Sequence, residues 1–492
     1  MAISTVTMNS PGVQQNLAGS YGYRCLSQRS DGILVYCYIS WNGSSEKVSV
    51  LYSYDLGLTW TQRVQGVATS SSETHTSIIS NGDLYHLHYT GIHNQQSPCD
   101  VFTSKVNINI PFLWDAEFDY SSSQIICTMV DDEDNIHVIF KDNVFHDLLY
   151  YTVYNPSTNL FSLPETFTSG ASGGTVGIAP DNAFQMAMDS TGKIHVLYID
   201  SFVNSPGAFY QTRSVAGVWS APIGGVASTA VTRTLQAIGS NHDVSWVSMV
   251  IDGNDDVHIV YSLQFNNSGT GILRSVVDYG KFNGSTFDRT VIYEVDDRLA
   301  NASIISCDNN DKLHIVYRRN KASGGTAYDI FLVDSSNGGT TWSAEQTVIS
   351  GTTEAYYPFY LFKTERNVPG YNILNSGCAG VYGINALAAN SDLYYFYTSD
   401  IDYKFAVTGS PDFCEQTLDS IASTGCVNLA AGTFDGLDHL NGEEVGILAD
   451  GIVLERQTVD GGSISLASDY GIVHIGLPYN SDFETLNLEV NQ

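Results

Sequence analysis

Hydrophobic and polar positions alternate along most of the chain, in short runs that end at turn residues. KVSVLYS, from Lys47 to Ser53, and IHVLY, from Ile194 to Tyr198, are two such runs. Successive side chains of a strand point to opposite faces, so this alternation predicts β-strands. Gly, Asp and Asn separate the runs, as they do in tight turns. The pattern therefore predicts an all-β chain of many short strands.

One motif recurs seven times, an acidic or Asn/Gly turn followed by a strand. Four copies carry a histidine near the start of the strand, in DEDNIHVIF, DSTGKIHVLY, DGNDDVHIVY and DNNDKLHIVY. Aligned on that position, the copies lie 51, 52, 58, 63, 56 and 80 residues apart, at Leu34, Tyr85, His137, His195, His258, His314 and Tyr394.

An interval of this length holds about four strands of ~5–6 residues with their turns, which is one blade of a β-propeller. The repeats therefore predict a β-propeller of about seven blades. The longer last interval is expected to contain an insertion near Lys363 to Gly380.

Two octapeptides, SYDLGLTW and SSNGGTTW, share the pattern S-x-D-x-G-x-T-W, with Asn for Asp in the second. The pattern resembles the Asp-box of sialidase-like propellers, which implies a structural turn between outer strands, away from a catalytic face. The short polar side chain accepts backbone N–H groups, glycine supplies a positive φ, and tryptophan covers the hairpin. The structural Asp-box positions are Ser53, Asp55, Gly57, Thr59, Trp60, Ser335, Asn337, Gly339, Thr341 and Trp342.

The repeated histidines suggest a metal site, but buried hydrogen bonding is the favoured interpretation. Each histidine alternates with apolar residues in a strand, and a zinc site needs three or four ligands converging at about 2 Å. The acidic turns DDEDN (Asp131 to Asn135) and DGNDD (Asp252 to Asp256) lack the spacing of an EF-hand loop. Solvated turn carboxylates are expected there, and we predict no metal and no cofactor.

Catalytic residues of a sialidase are not evident. Such an enzyme uses three arginines to hold a carboxylate, a tyrosine nucleophile with a glutamate partner, and an acidic residue. The chain has 12 arginines, and Arg24 and Arg29 do not match the family's first arginine element. Arg318 and Arg319 are adjacent and should point to opposite faces of a strand. We therefore predict that the chain is not an enzyme, with a sialidase-like glycosidase as the alternative.

Composition excludes some partners. Asp and Glu number 52 against 21 Lys and Arg, a formal net charge of −31. Such a surface repels nucleic acid and anionic membranes. The start of the sequence has no apolar signal segment, and no run approaches the ~20 apolar residues of a membrane span. Eight cysteines without a C-x-x-C pair are expected to be buried free thiols, and synthesis in a cytoplasm is expected.

The pattern changes near Cys426, where short strands are separated by Asp-Gly and Gly-Gly turns. The sequence divides into a propeller, residues 1–425, and a small C-terminal β-sandwich or barrel, residues 426–492. Three segments, GLDHLNGEEVGILADG, GGSISL and VHIGLPY, resemble the C-terminal module of tail-tube, hub or nozzle proteins of short-tailed bacteriophages.

This resemblance implies a structural virion component in the phage tail. It would form a homo-oligomeric ring, commonly a hexamer, bind other tail proteins such as the tube, adaptor and fibres, and let DNA pass without binding it during ejection. The alternative, from another class, is a sialidase-like protein that binds or cleaves a host glycan.

Overall fold

The structure is a computed structural model that describes most of the predicted strands and many of their turns. The described residues are 3–8, 14–15, 26–28, 34–41, 46–53, 57–69, 75–80, 83–90, 100–106, 113–119, 123–131, 133, 135–142, 149–155, 157–158, 160–167, 184–200, 207–224, 231, 242–266, 273–296, 298–321, 327–350, 356–361, 374–384, 393–398, 402–403, 421–429, 433–434, 437, 440–449, 452–466 and 470–477.

Seven antiparallel sheets, here called blades 1 to 7, account for most of the described strands. Blade 1 contains β2 (Gln14–Gln15), β3 (Leu26–Gln28), β4 (Leu34–Trp41), β5 (Glu46–Ser53) and β6 (Thr61–Thr69). Blade 2 contains β7 (His75–Ser80), β8 (Asp83–Thr90), β9 (Asp100–Val106) and β10 (Leu113–Asp119). Blade 3 contains β11 (Ser123–Val130), β12 (Ile136–Asp142), β13 (Leu149–Asn155), β14 (Leu160–Phe161) and β15 (Glu165–Phe167).

The next three blades have four strands each. Blade 4 contains β16 (Phe184–Met188), β17 (Ile194–Asp200), β18 (Gly207–Arg213) and β19 (Ile223–Gly224). Blade 5 contains β20 (His242–Ile251), β21 (Val257–Asn266), β22 (Leu273–Phe282) and β23 (Phe287–Asp296). Blade 6 contains β24 (Ala300–Cys307), β25 (Leu313–Asn320), β26 (Tyr328–Ser335) and β27 (Gln346–Ser350).

Blade 7 joins the two ends of the propeller sequence. It contains β28 (Tyr356–Leu361), β30 (Ala379–Ile384), β31 (Leu393–Thr398) and, as its fourth strand, β1 (Ile3–Thr7). A separate pair is formed by β29 (Leu374–Ser376) and β32 (Asp402–Tyr403). Because β1 pairs with β31 from Ile3↔Thr398 to Thr7↔Tyr394, the start of the chain completes the last blade.

The blades follow one another around a ring. Their first strands lie side by side in the order β3, β7, β11, β16, β20, β24 and β28. Blade 1 meets blade 7 where the Trp60 ring packs on Tyr395, with centroids 5.5 Å apart. Every residue of the inner strand β24 is buried, as expected for a strand that is covered on both faces. The prediction of an all-β propeller with about seven blades is confirmed.

The predicted position of the seventh repeat, Tyr394, is wrong by one strand. The other six aligned positions lie in the second strand of their blade, whereas Tyr394 lies in β31, the third strand of blade 7. Register places Ala379 of β30 at the histidine position, because Tyr395 pairs with Val381 as Tyr279 pairs with Val260. Blade 7 lacks both the histidine and its turn, so the third strand gave the better match.

Residues 1–404 and 405–492 form two compact units. In the second unit, β33 (Ile421–Leu429), β35 (Glu444–Ala449), β36 (Ile452–Thr458) and β38 (Tyr470–Gly476) form an antiparallel sheet, while β34 (Thr433–Phe434) pairs with β37 (Ile464–Ser465). Its core contains Leu437, Leu440, Val445, Ile447, Val459, Ile464, Leu466 and Ile475. The expected boundary at residue 425 falls inside β33, and the assignment of separate tasks to the two segments stays a prediction.

Within the described part of the chain, no helix has the length and apolar character needed to cross a membrane.

Deletion of residues 1–8 should lower the melting temperature of the propeller. The deletion leaves blade 7 with three strands and exposes the unpaired edge of β31. Circular dichroism or calorimetry measures the change, with the exposed Ser4→Ala substitution as the control that keeps the backbone ladder. An unchanged melting temperature in the deletion variant would contradict closure by β1.

Candidate functional site

The propeller has two distinct ends. At the turn end lie the connections between first and second strands and between third and fourth strands. At the loop end lie the connections between second and third strands and the links from blade to blade. The repeated acidic turns and the Asp-boxes all belong to the turn end.

At the turn end, blades 3, 4 and 5 each contain an Asp–His–Tyr chain of hydrogen bonds. The histidine Nε2 donates to the aspartate Oδ2 at 2.9–3.1 Å, and Nδ1 lies 2.5–2.6 Å from the tyrosine hydroxyl. All three histidines are buried, so the expected burial and hydrogen bonding of this residue type is confirmed. The chains are Asp131–His137–Tyr151, Asp189–His195–Tyr210 and Asp252–His258–Tyr279.

The same aspartates also fix the turns. Asp252 Oδ1 accepts the backbone N–H groups of Asn254 and Asp256 at 2.9 and 3.0 Å. Asp131 accepts two N–H groups in the same way. The expectation of solvated carboxylates is therefore wrong for the first aspartate of each turn, because it caps the turn and binds the histidine at once. Asp131 is 9% exposed and Asp252 is 4% exposed.

Blade 6 carries a different version of this chain. His314 lies between two carboxylates, with Nδ1 2.7 Å from Asp334 and Nε2 3.5 Å from Asp308. Asp308 also accepts the Gly377 N–H at 3.1 Å, which links blade 6 to the segment before β30. Lys312 lies 3.7 Å from Asp334. The His314 imidazole is therefore flanked by two carboxylates.

Burial and hydrogen bonding shift the pKa of each of these groups in opposite directions. Burial would raise the pKa of Asp252, but bonds from His258 and the turn outweigh it and hold the pKa at about 2. Burial outweighs the bond to Asp189 and lowers the pKa of His195. In His314 the bonds to both carboxylates outweigh burial, so its pKa is raised. Burial raises the pKa of Tyr279.

An aromatic ring from each of several blades packs on a tyrosine of the preceding blade. We call this contact the aromatic latch. The ring comes from the connection between third and fourth strands or from the start of the fourth strand, and its partner is in the third strand of the neighbour. The latches are Trp219 on Tyr151, Phe287 on Tyr210, Trp342 on Tyr279 and Trp60 on Tyr395, with centroids 5.0–5.7 Å apart.

The second Asp-box shows how its residues support the latch. Ser335 Oγ accepts the Gly339 N–H at 2.9 Å, and Asn337 Oδ1 accepts the Thr341 N–H at 2.9 Å. Gly339 has φ +83°, and a Cβ at this position would collide with the Tyr279 hydroxyl. The box therefore needs glycine both for its backbone and for the close approach to blade 5.

The first Asp-box has the same arrangement. Gly57 donates its N–H to Ser53 Oγ at 2.7 Å, and the Trp60 indole donates to the Gly57 carbonyl at 3.1 Å. Thr59 is exposed, and Asp55 lies outside the described residues. Both boxes sit at the turn end, and their contribution to stability stays a prediction. Among the residues that the structure describes, no three His, Cys, Asp or Glu side chains form a group suited to a metal ion.

At the loop end of blades 5 and 6, arginines pack on aromatic rings. Arg318 is 4% exposed, donates from Nε to Asn301 at 2.5 Å and lies 4.3 Å above the Tyr328 ring. Arg319 points to the other face of the sheet, as predicted, and lies 4.6 Å above the Tyr293 ring. These contacts place positive charge at the ends of rigid strands.

A tyrosine–glutamate pair exists, but it does not have the properties of a sialidase nucleophile. The Tyr317 hydroxyl donates to Glu345, and Arg319 Nη1 lies 3.1 Å from the same carboxylate. Tyr317 is completely buried, and burial together with Glu345 raises its pKa. A nucleophilic phenolate needs a lowered pKa and access to substrate. This pair is therefore a contact within blade 6.

Two innermost strands contain a strained bulge at equivalent positions. The pairing of β20 with β21 shifts at Trp246, which has φ +60°. The pairing of β24 with β25 shifts between Asn301 and Ile304, where Ala302 has φ +54°. Positive φ is unusual for bulky residues and concentrates at functional sites. Trp246 is half-buried, whereas Ala302 is buried.

Several of these residues were missed in the sequence. Tyr151, Tyr210 and Tyr279 follow their histidines by 14, 15 and 21 residues, a variable spacing that hides their shared role. Trp219 ends the segment SVAGVW, which is a shortened form of the Asp-box pattern and could have been found by allowing a deletion. The bulges leave no sequence signal, because Trp246 and Ala302 share no chemistry.

The seven antiparallel sheets, the last of them completed by β1, define a seven-bladed β-propeller with a structural turn end. No protein-family model and no curated protein sequence matches the chain. A solved structure of an ulvan lyase of polysaccharide lyase family 25, bound to -[GlcA(1-4)Rha3S]-, matches with TM-score 0.54 and 12% identity, covering 79% of this chain and 95% of the lyase.

Two further structural matches are more distant. An α-L-arabinanase from Penicillium chrysogenum, complexed with arabinobiose, has TM-score 0.41 and 9% identity over 80% of this chain and 98% of its own. A sialidase from Streptococcus pneumoniae has TM-score 0.38 and 9% identity over 63% and 67%. Neither of these two is similar enough to support an argument about this chain, whereas the ulvan lyase shows the shared fold.

The identification as a phage tail protein is wrong, and the predicted non-enzymatic structural role in a virion is wrong with it. The structure that matches over most of both chains is a polysaccharide lyase and not a tail protein. The segments that resemble a tail module consist of turn glycines, such as Gly442 and Gly461 with positive φ, and core residues such as Leu440 and Ile447. Such residues specify a small β module and not its assembly.

Trp342→Ala should lower the free energy of unfolding by about 3–5 kcal/mol, because it removes a large ring from a packed site between two blades. Thr340→Ala, in the same turn but exposed, is the control and should change it by less than about 0.5 kcal/mol. Denaturant unfolding measures both. Equal stability of the two variants would show that the latch does not hold the blades.

His195 and His314 should titrate on opposite sides of the usual histidine range, as measured by NMR of histidine-labelled protein. A lowered pKa means that His195 costs stability as pH falls below about 6.5, where the unfolded chain takes up the proton first. A raised pKa means that His314 stabilises fully below about 6.5 and loses this effect as pH rises through its folded pKa. Two titrations near 6.5 would contradict these environments.

Proposed function

We propose that the chain is a carbohydrate-active β-propeller that binds and cleaves a glycan at the loop end. The similarity to an ulvan lyase structure over most of both chains supports this proposal. A fold alone does not determine function, so the site must carry the argument.

The lengths of the connections favour the loop end. The links that flank blade 4, residues 168–183 and 225–241, are far longer than the links at residues 120–122 and 297–299. Long connections in compact domains are commonly functional. The described connections at the turn end bind the buried histidines and pack on the preceding blade. The loop end is therefore the surface that is free to take a ligand.

The observation that carries the proposal is the cluster of cations at this end of blades 5 and 6. The chain has few cations and a net charge of −31. A polysaccharide with carboxylate or sulfate groups would be repelled elsewhere but could be held here, since guanidinium groups bind such anions through paired hydrogen bonds. Arg298 is exposed and forms no ion pair with any described residue. The other cations are Arg318, which is buried, and Arg274, Arg319 and Lys321, which pair with Glu294, Glu345 and Asp329.

The full-length protein should cleave at least one member of a panel of ulvan, arabinan and a sialylated glycan. Arg298→Gln should raise KM for an anionic member about tenfold, the value of one charge-assisted hydrogen bond, without changing the melting temperature. Reducing-end release and absorbance of unsaturated products measure cleavage.

Lys281→Gln is the matched control, since Lys281 is a partly exposed cation of blade 5 at the turn end, paired with Asp256. It should leave KM unchanged. Failure of the folded protein to bind or cleave any member of the panel would contradict the proposed function. A larger effect of Lys281→Gln than of Arg298→Gln would move the site to the turn end.

Self-association through residues 426–492, which the sequence predicts, also stays a proposal. Light scattering of the full chain tests it.

A further inference from the structure

Trp246 differs from the other tryptophans whose side chains the structure describes. Trp60, Trp219 and Trp342 each pack on a tyrosine of the preceding blade. The Trp246 ring has no aromatic partner and its indole N–H makes no hydrogen bond among the described contacts. It is also half-buried, so part of the ring is open to solvent. Trp246 therefore does not serve as a latch.

The position of Trp246 in its blade indicates where the exposed part of the ring lies. Trp246 lies in β20, whose one edge pairs with β21 and whose other edge has no strand beside it. The two faces of the sheet are closed at this level, since Val244 is 3% and Val247 is 1% exposed. The remaining side among the described neighbours is the free edge of β20, which in the first strand of a blade borders the channel.

The backbone at Trp246 is strained for a residue of its size. Its φ of +60° is readily adopted by glycine and is disfavoured by a bulky side chain. Ala302 occupies the equivalent position in blade 6 with φ +54°, so the bulge itself does not require a large ring. A strained, unpartnered and partly exposed ring is better explained by a ligand than by packing.

We infer that Trp246 is a stacking platform for a sugar ring of the glycan in the channel, a site that rests on the proposed function. The C–H groups on one face of a pyranose are apolar and slightly positive, and they pack on the negative face of an indole. The ring would bind a sugar regardless of its charge, whereas the loop-end arginines select charged groups. The two contacts are therefore separable.

Trp246→Gly in the full-length protein tests the platform. The substitution removes the ring and relaxes the backbone, so the melting temperature should stay the same or rise while affinity for the bound member of the ulvan, arabinan and sialylated-glycan panel falls at least tenfold. Ala302→Gly is the matched control, because it relaxes the equivalent bulge without removing a ring, and it should leave affinity unchanged.

A second variant separates loss of glycan binding from loss of folding. Trp246→Phe keeps an aromatic ring and should retain part of the affinity, while the change in tryptophan fluorescence on glycan binding should disappear. Unchanged glycan affinity in folded Trp246→Gly would overturn the platform and leave the proposed function standing. A marked fall in melting temperature with unchanged affinity in Trp246→Phe would show a packing role. Failure of the wild-type protein to bind any panel member would contradict the proposed function instead.

Discussion

The structure depends on the contact between each blade and the next. A ring of seven sheets closes only if every junction has nearly the same geometry, since errors in angle add around the ring. The Asp–His–Tyr chain sets that geometry in blades 3 to 5 by fixing one tyrosine hydroxyl relative to one turn. The same tyrosine then receives an aromatic ring from the following blade. The hydrogen bonds within one blade therefore also help to fix the position of the next blade.

This arrangement divides the work between the two ends of the propeller. At the turn end the polar groups of the repeated motif bind one another, and a ligand would have to compete with them. At the loop end the strands stop with arginines on aromatic rings and with a left-handed bulge in the innermost strand. The junctions make the scaffold rigid, and rigidity lets the loop end hold strained residues in place.

The sequence predicts the strands that carry the repeated motif, and it does not predict those in which the motif is altered. Acidic turns with a following histidine identify the second strands of blades 3 to 6, because one aspartate must cap the turn and bind the imidazole. Blade 7 has Ala379 at that position, so the pattern disappears and the match moved to Tyr394. The latches of blades 4 and 5 use Trp219 and Phe287 in turns of different length, which conceals them. The bulge at Trp246 could not be predicted from the sequence, because a bulge depends on how two strands pair and not on the type of residue. The phage resemblance failed because turns and core residues recur in unrelated β modules.

Hydrogen–deuterium exchange of the full chain with and without a bound glycan tests the division between the two ends most directly. The account predicts added protection in the first halves of β20 and β24 and at the start of β26, with exchange at the turns 189–193, 252–256 and 308–312 unchanged. Protection of those turns instead, with the innermost strands of blades 5 and 6 unaffected, would contradict it.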